Sequence, residues 1–293
     1  MKIILSKKGF DSSYGGVASP VFVEDKSFIS LPIPTDNPDY AKDKGYSICY
    51  NNLSLYGHNY GKLVEDLTKN KIKGDDITHF DPDIIREVYQ NRKPEWTPLF
   101  GQDSSFQGHL RLQNVGKGDI FLFFGLFRMV KKVGNNYQYV RGAKKFNMLW
   151  GWMQIEDIIS VDNSDNKVKD WMKYHSHFYL KDSKQNTLYL ASKDLIIDEE
   201  VILENGGAGK FKKYSEELQL TRQGSDPWTD WILPSCFYNS EMTFHQKDDR
   251  WKLIDDKVEL KAVSRGQEFV LDCKDNSQVV DWIKNIIKKN TMP

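Results

Sequence analysis

The stretch from Phe100 to Asp157 constrains the fold more than any other part of this chain. Within it, Gly116, Gly118 and Asp119 give a turn signal, and Ile120 to Phe127 follows as an apolar run rich in phenylalanine. Such a run is too short to cross a bilayer. Bounded by turn residues, it reads as a buried strand. After a polar spacer, Leu149 to Ile155 reads as a second aromatic strand, with Gly151 between Trp150 and Trp152. Two such strands predict an α+β fold built on a mixed β-sheet or a barrel-like core. Peripheral helices would pack on it, and long loops would carry whatever the protein binds.

The 293 residues suffice for one large domain or two ordinary ones. A hydrophobic share of 39% with 13% aromatics supplies a packed core rather than a disordered chain. The 41 basic and 41 acidic residues cancel, which argues against duplex binding by bulk charge but leaves room for a local basic face. Cys49, Cys236 and Cys273 are widely spaced and form neither a zinc spacing nor a disulfide framework, as suits a reducing compartment. The first residues hold three apolar positions before lysines, so no leader is expected. No segment approaches the length of a membrane span. A cytoplasmic protein without a membrane partner is expected. Nucleophile elbows, metalloprotease helices and kinase signatures are absent from the sequence.

Candidate chemistry lies in loops. After a first strand at Lys2 to Ser6, the segment KKGFDSSYGG carries a basic pair, Lys7 and Lys8, with Ser12, Ser13, Gly15 and Gly16. Backbone amides of such a loop can cradle an anion, although the spacing matches no phosphate-binding fingerprint. Asp11 reads either as a base or ribose ligand or as the Asx residue of a turn. Helical stretches are expected at Gly61 to Asn70 and at Pro82 to Arg92. Between them, THFDPD places His79, Asp81 and Asp83 within five residues. With Pro82 at a first helical position, Asp81 would be an N-cap; together the three side chains would also make an acid/base or ion-binding cluster.

Ahead of the central strand, Gln102, Gln107 and His109 offer amides and an imidazole of the kind that read base edges. Phe127, Arg128, Trp150 and Trp152 add stacking surface, although most of these aromatics would serve equally as core. In WMKYHSHFYL, His175 and His177 alternate as they would on one face of a strand, where paired imidazoles titrate near neutrality or bind metal. Arg265 leads into a last strand, and Ser277 to Lys289 reads as an amphipathic helix. The candidate catalytic residues are therefore Asp11, His79, Asp81, Asp83, His109, His175 and His177. The candidate binding residues are Lys7, Lys8, Ser12, Ser13, Gly15, Gly16, Gln102, Gln107, Phe127, Arg128, Trp150, Trp152 and Arg265. Neither a cofactor nor a metal identity follows from these patterns.

Taken together, KIILSKKGFDSSYGGVASP, SLPIP, HFDPD, FGQ, QGHL, VGKGDIFLFFGLFR, WGW, HSH, NTLYLAS, WILP and RGQEFV resemble the nucleotide modification associated domain 3 family, in order from residue 2 to about 285. Lys7 and Ser176 stand where members of that family often carry arginine and proline. The resemblance implies a single domain over 1–293 that takes part in making or handling modified bases in phage or bacterial systems, with a nucleotide or nucleic acid, DNA before RNA, as partner. It does not fix a reaction. A shorter stretch, about 100–160, is similar to the PUA and EVE type of β-barrel, which binds RNA or modified bases. Two expectations follow: an enzyme acting on a nucleotide or base, or a non-catalytic reader holding a modified base in an aromatic cage.

Overall fold

The computed structural model describes residues 1–162, 166–238, 240–264, 266 and 268–291. In chain order the strands are β1 (Lys2–Lys7), β2 (Ser19–Phe22), β3 (Ser54–Leu55), β4 (His58–Asn59), β5 (Leu99–Gln102), β6 (Ile120–Val133), β7 (Asn136–Tyr139), β8 (Phe146–Ser160), β9 (Thr187–Ala191), β10 (Leu195–Ile197), β11 (Glu200–Leu203), β12 (Ala208–Lys210), β13 (Asp230–Pro234), β14 (Trp251–Ile254), β15 (Lys257–Lys261) and β16 (Glu268–Asp272). The helices are α1 (Pro38–Asp43), α2 (Tyr60–Thr68), α3 (Ser104–Leu112) and α4 (Ser277–Thr291).

The apolar run behaves as its composition demands. Every residue from Ile120 to Phe127 is buried, so β6 has no solvent face and needs cover on both sides. It pairs antiparallel with β8, matching Leu122 to Trp152 and Phe123 to Gly151, and parallel with β1, matching Ile4 to Phe121. The main sheet runs β16-β1-β6-β8-β9-β5, with β2 and β7 added to β6 and β12 to β8. It is mixed, as expected from the sequence. Opposite Phe123 and Phe124 the register skips Trp150, a bulge that bends β8 against β6. Next to it, a Cβ on Gly125 would come 2.6 Å from the carbonyl oxygen of Lys8, so glycine lets the chain leaving β1 cross close above β6. Asp119 ties the turn before β6 to the N-terminus: its Oδ1 accepts from the amide of Lys2 at 2.7 Å and its Oδ2 from that of Gly116 at 2.9 Å.

Among the described residues the edge strands β16 and β5 share no backbone ladder, so the sheet is not a closed barrel. It is nonetheless curled enough for side chains to join its edges. Gln102 Nε2 at the end of β5 donates to Glu268 Oε1 at the start of β16, at 2.6 Å. α4 buries Val279, Val280, Ile283, Ile286 and Ile287 against this sheet, the stripe its spacing predicts. A second core, around Tyr50, Leu63 and Phe80, packs under α2. Among the described residues no helix is long and apolar enough to cross a membrane.

Three local expectations are corrected. Residues 82–92 form no α-helix, only one 3-10 turn at Arg86–Val88. Asp83 and Leu99 instead exchange backbone hydrogen bonds at 2.9 and 3.0 Å, and this tertiary pairing overrides helix propensity. His175 and His177 do not alternate on a strand: Ser176–Tyr179 is a 3-10 turn with His175 at its N-cap. Asp81 is not an N-cap, since no helix starts at Pro82; its Oδ1 accepts the Gly101 amide at 2.7 Å instead.

Candidate functional site

β1 ends at Lys7, and a loop carries the chain over the end of the sheet. β5 ends there too, at Gln102, and the approach to β16 passes Ser264 and Gly266. Between these segments, residues 33–37 and residues 177–181 lies a cleft of about 400 Å³. Its walls include Lys7, Lys8, Asp11, Ser13, His79, Asp81, Gln102, His177 and Lys181, with Tyr14, Phe106 and Tyr179 as the aromatic faces.

The first loop is built on Asp11. Its Oδ1 accepts the amides of Ser13 and Tyr14 at 2.7 and 2.8 Å, and its Oδ2 pairs with Lys7 Nζ at 2.6 Å. Burial alone would raise this carboxyl, but the bonds from Lys7, Tyr14 and Ser13 outweigh it and hold it ionised below the usual aspartate range. Asp11 is thus both the Asx residue of a turn and part of the cleft wall. Gly15, at φ +80°, lies against the ring of buried Phe10, which a Cβ would meet at 2.5 Å. Ser12 and Gly16 are exposed on this loop.

At the floor stand His79, Asp81 and His177. One ligand atom from each lies within 4.8 Å of the other two, and His177 Nε2 is 4.0 Å from Asp81 Oδ2. The carboxylate is held from one side: Oδ1 accepts the amide of Gly101 at 2.7 Å and lies 3.1 Å from His175 Nε2. Gly101 has a second role, because a Cβ there would fall 2.1 Å from Cδ2 of His177; only glycine leaves room for that ring. His177 is fixed by Asn186. The Asn186 Nδ2 donates to the His177 carbonyl at 2.7 Å, which points its Oδ1 at His177 Nδ1, also at 2.7 Å. Nδ1 therefore carries the proton and Nε2 presents a lone pair.

Burial disfavours charge on the imidazoles and pushes His79 down to about 3, helped by the neighbouring His177; it lowers His177 as well. Burial would raise Asp81, but the hydrogen bond from His175, ahead of any charge on the three imidazoles, brings it down to about 2. The consistent state near neutrality is an ionised Asp81 between neutral His79 and His177. Such a set can serve as a general acid/base group or hold a cation, and these three are the metal-competent residues of the cleft.

Beside them lies a buried polar node that carries no local sequence signal. Glu268, 1% exposed, accepts at Oε1 from Ser6 Oγ and Lys8 Nζ at 3.0 Å each, and from Gln102 at 2.6 Å. Burial raises its carboxyl despite Lys8. Lys8 also lies over the Phe100 ring, 4.6 Å from its centroid, so its position is set on two sides.

The other candidates lie elsewhere. Asp83 is buried in a bidentate pair with Arg92 and also receives Tyr174 Oη and, at 3.2 Å, Trp96 Nε1. His109 projects from α3 to Thr243 Oγ1 at 3.2 Å and packs on Phe244. Gln107 accepts from Tyr189 Oη at 2.8 Å. Phe127 packs edge-on against Phe28, and Arg128 stacks over Tyr139. Trp152 packs on Phe211 and donates to the Gly206 carbonyl at 2.9 Å. Trp150 stacks on Phe123 and borders a second cavity of about 30 Å³ behind Asp81. That small cavity also touches Lys210, whose ammonium burial pushes down to about 7. Arg265 lies outside the described residues. The aromatic strands are thus core, and the cleft draws its rings from Tyr14, Phe106 and Tyr179, which sequence reasoning did not single out.

The family model for nucleotide modification associated domain 3 matches residues 2–272 of the 293. No curated protein and no solved structure matches the chain.

Proposed function

Because the chain belongs to the nucleotide modification associated domain 3 family, we propose that it is an enzyme acting on a nucleotide or base held in the 400 Å³ cleft. The carrying observation is convergence. Asp11, His79, Asp81 and His177 come from three separate segments and line one cavity, whereas Trp150 and Trp152 are buried in the core and form no cage. A cavity of this size encloses one small ligand. In this reading Lys7, Lys8 and Lys181 attract phosphate. Tyr14, Phe106 and Tyr179 offer faces for a base, Gln102 an amide for its edge, and Asp81 with its imidazoles the reaction centre. DNA is the preferred substrate within a base-modification or phage-conflict system, and a base in duplex would have to swing out of the stack to reach the floor.

The test is a thermal-shift and turnover screen with deoxynucleoside monophosphates, modified nucleosides and short oligonucleotides, since a ligand of the native state raises Tm by mass action. A nucleotide should stabilise the protein and be chemically altered. Lys181→Ala, at the exposed rim, should weaken the shift without lowering the ligand-free Tm. His79→Ala should bind but not convert. Binding of oligonucleotides with no conversion under any condition would favour the reader. Absence of any shift would overturn both.

A further inference from the structure

We propose that His79, Asp81 and His177 form a site for one divalent first-row transition cation, open to the cleft. This goes beyond the nucleotide reading and stands on geometry that does not depend on it.

The donor set argues for the ion class. Two imidazoles and one carboxylate suit transition metals, whereas magnesium and calcium prefer all-oxygen sites. At metal–ligand bonds of about 2.0–2.1 Å, neighbouring donors in octahedral or tetrahedral geometry lie about 2.8–3.4 Å apart. The observed spacings, 4.0 Å between His177 Nε2 and Asp81 Oδ2 and at most 4.8 Å within the set, require inward movements of roughly an ångström or less per donor. Rotation about side-chain torsions supplies that.

The surroundings point the same way. A metal-binding imidazole usually donates its other ring N–H to a fixed acceptor, and His177 Nδ1 has one in Asn186 Oδ1 at 2.7 Å. The carboxylate is similarly prepared: Gly101 occupies Asp81 Oδ1 at 2.7 Å, while Oδ2 faces His177 Nε2. Nearby ammonium groups do not oppose a cation at full strength, since Lys7 is paired with Asp11 and Lys8 with Glu268. With three protein ligands on one side and the cleft on the other, the ion would keep open positions. It could then act as a Lewis acid on a bound oxygen or activate water.

The experiment titrates Co²⁺ and Zn²⁺ into chelator-treated full-length protein, by calorimetry and by the visible d–d spectrum of Co²⁺. One ion per chain is expected. His79→Ala, His177→Ala and Asp81→Asn should each weaken binding by more than about 100-fold, beyond the ~10–100-fold typical of losing a supporting residue, whereas His109→Ala should leave it unchanged. Asp81→Asn keeps an acceptor for Gly101, so it guards against misfolding of the histidine variants. No stoichiometric binding, or equal affinity in Asp81→Asn, would overturn the site. Ion binding without any nucleotide shift would uphold the site and overturn the nucleotide reading; nucleotide binding without an ion would do the reverse.

Discussion

Asp81 and Asp83 flank Pro82, at 8% and 0% exposure, and their surroundings differ in kind. Asp83 is matched on all sides by a guanidinium, a phenol and an indole, and Arg92 itself lies over the Trp96 ring at 4.2 Å. Nothing is left over for a ligand. Asp81 is anchored through one oxygen only, and the other looks across imidazoles into a cleft. A buried charge completed by its neighbours serves structure, whereas one left facing ligand-capable groups in a cavity is available for chemistry. On this contrast we propose opposite roles for the two aspartates despite their shared sequence neighbourhood.

The largest predicted effect belongs to the closed knot. Asp83→Ala strands Arg92, and breaking a buried pair costs about 3–5 kcal/mol; urea unfolding should show it. Gly101→Ala comes next, because its Cβ overlaps the His177 ring. It should cost about 1–3 kcal/mol of overpacking and abolish Co²⁺ binding. Asp81→Asn preserves the hydrogen bond from Gly101 and should cost at most about 1.5 kcal/mol while removing ion binding, the inverse of the Asp83 result.

Acid titration supplies a control from a third buried site. His245 accepts the Val263 amide at Nε2 and donates from Nδ1 to the Thr243 carbonyl, and burial pushes it down to about 4 despite that carbonyl. Its folded pKa lies below the unfolded value of about 6.5, so its contribution is complete above that pH. It is lost as pH falls from there towards 4. His245→Gln should flatten the fall of Tm over this window and leave the aspartate contrast intact. The smallest effect is expected from Lys117→Ala at the exposed pair with Glu156, under about 1 kcal/mol.

The sheet was legible because Ile120–Phe127 is an unbroken apolar run and Leu149–Ile155 is apolar and aromatic apart from Gln154, as strands covered on both faces are, and α4 because its isoleucines and valines fall on one stripe. The region 82–92 was not, since its conformation is set by Leu99 and by Arg92 wrapping Asp83, partners that local periodicity does not encode. The cleft residues were visible as separate clusters, HFDPD, HSH and the Asp11 loop. Which of the two aspartates faces His177 depends on chain crossing, and Glu268 reads in sequence as an ordinary strand residue until Ser6, Lys8 and Gln102 close around it.

The most direct measurement sets Asp81→Asn beside Asp83→Asn, recording urea stability and Co²⁺ affinity for both. A metal-binding role for Asp81 and a structural one for Asp83 predict an Asp81 variant of nearly native stability that no longer binds the ion, and an Asp83 variant that is clearly destabilised yet binds it normally while folded. Native affinity in the Asp81 variant, or loss of affinity in a folded Asp83 variant, would overturn that division of roles.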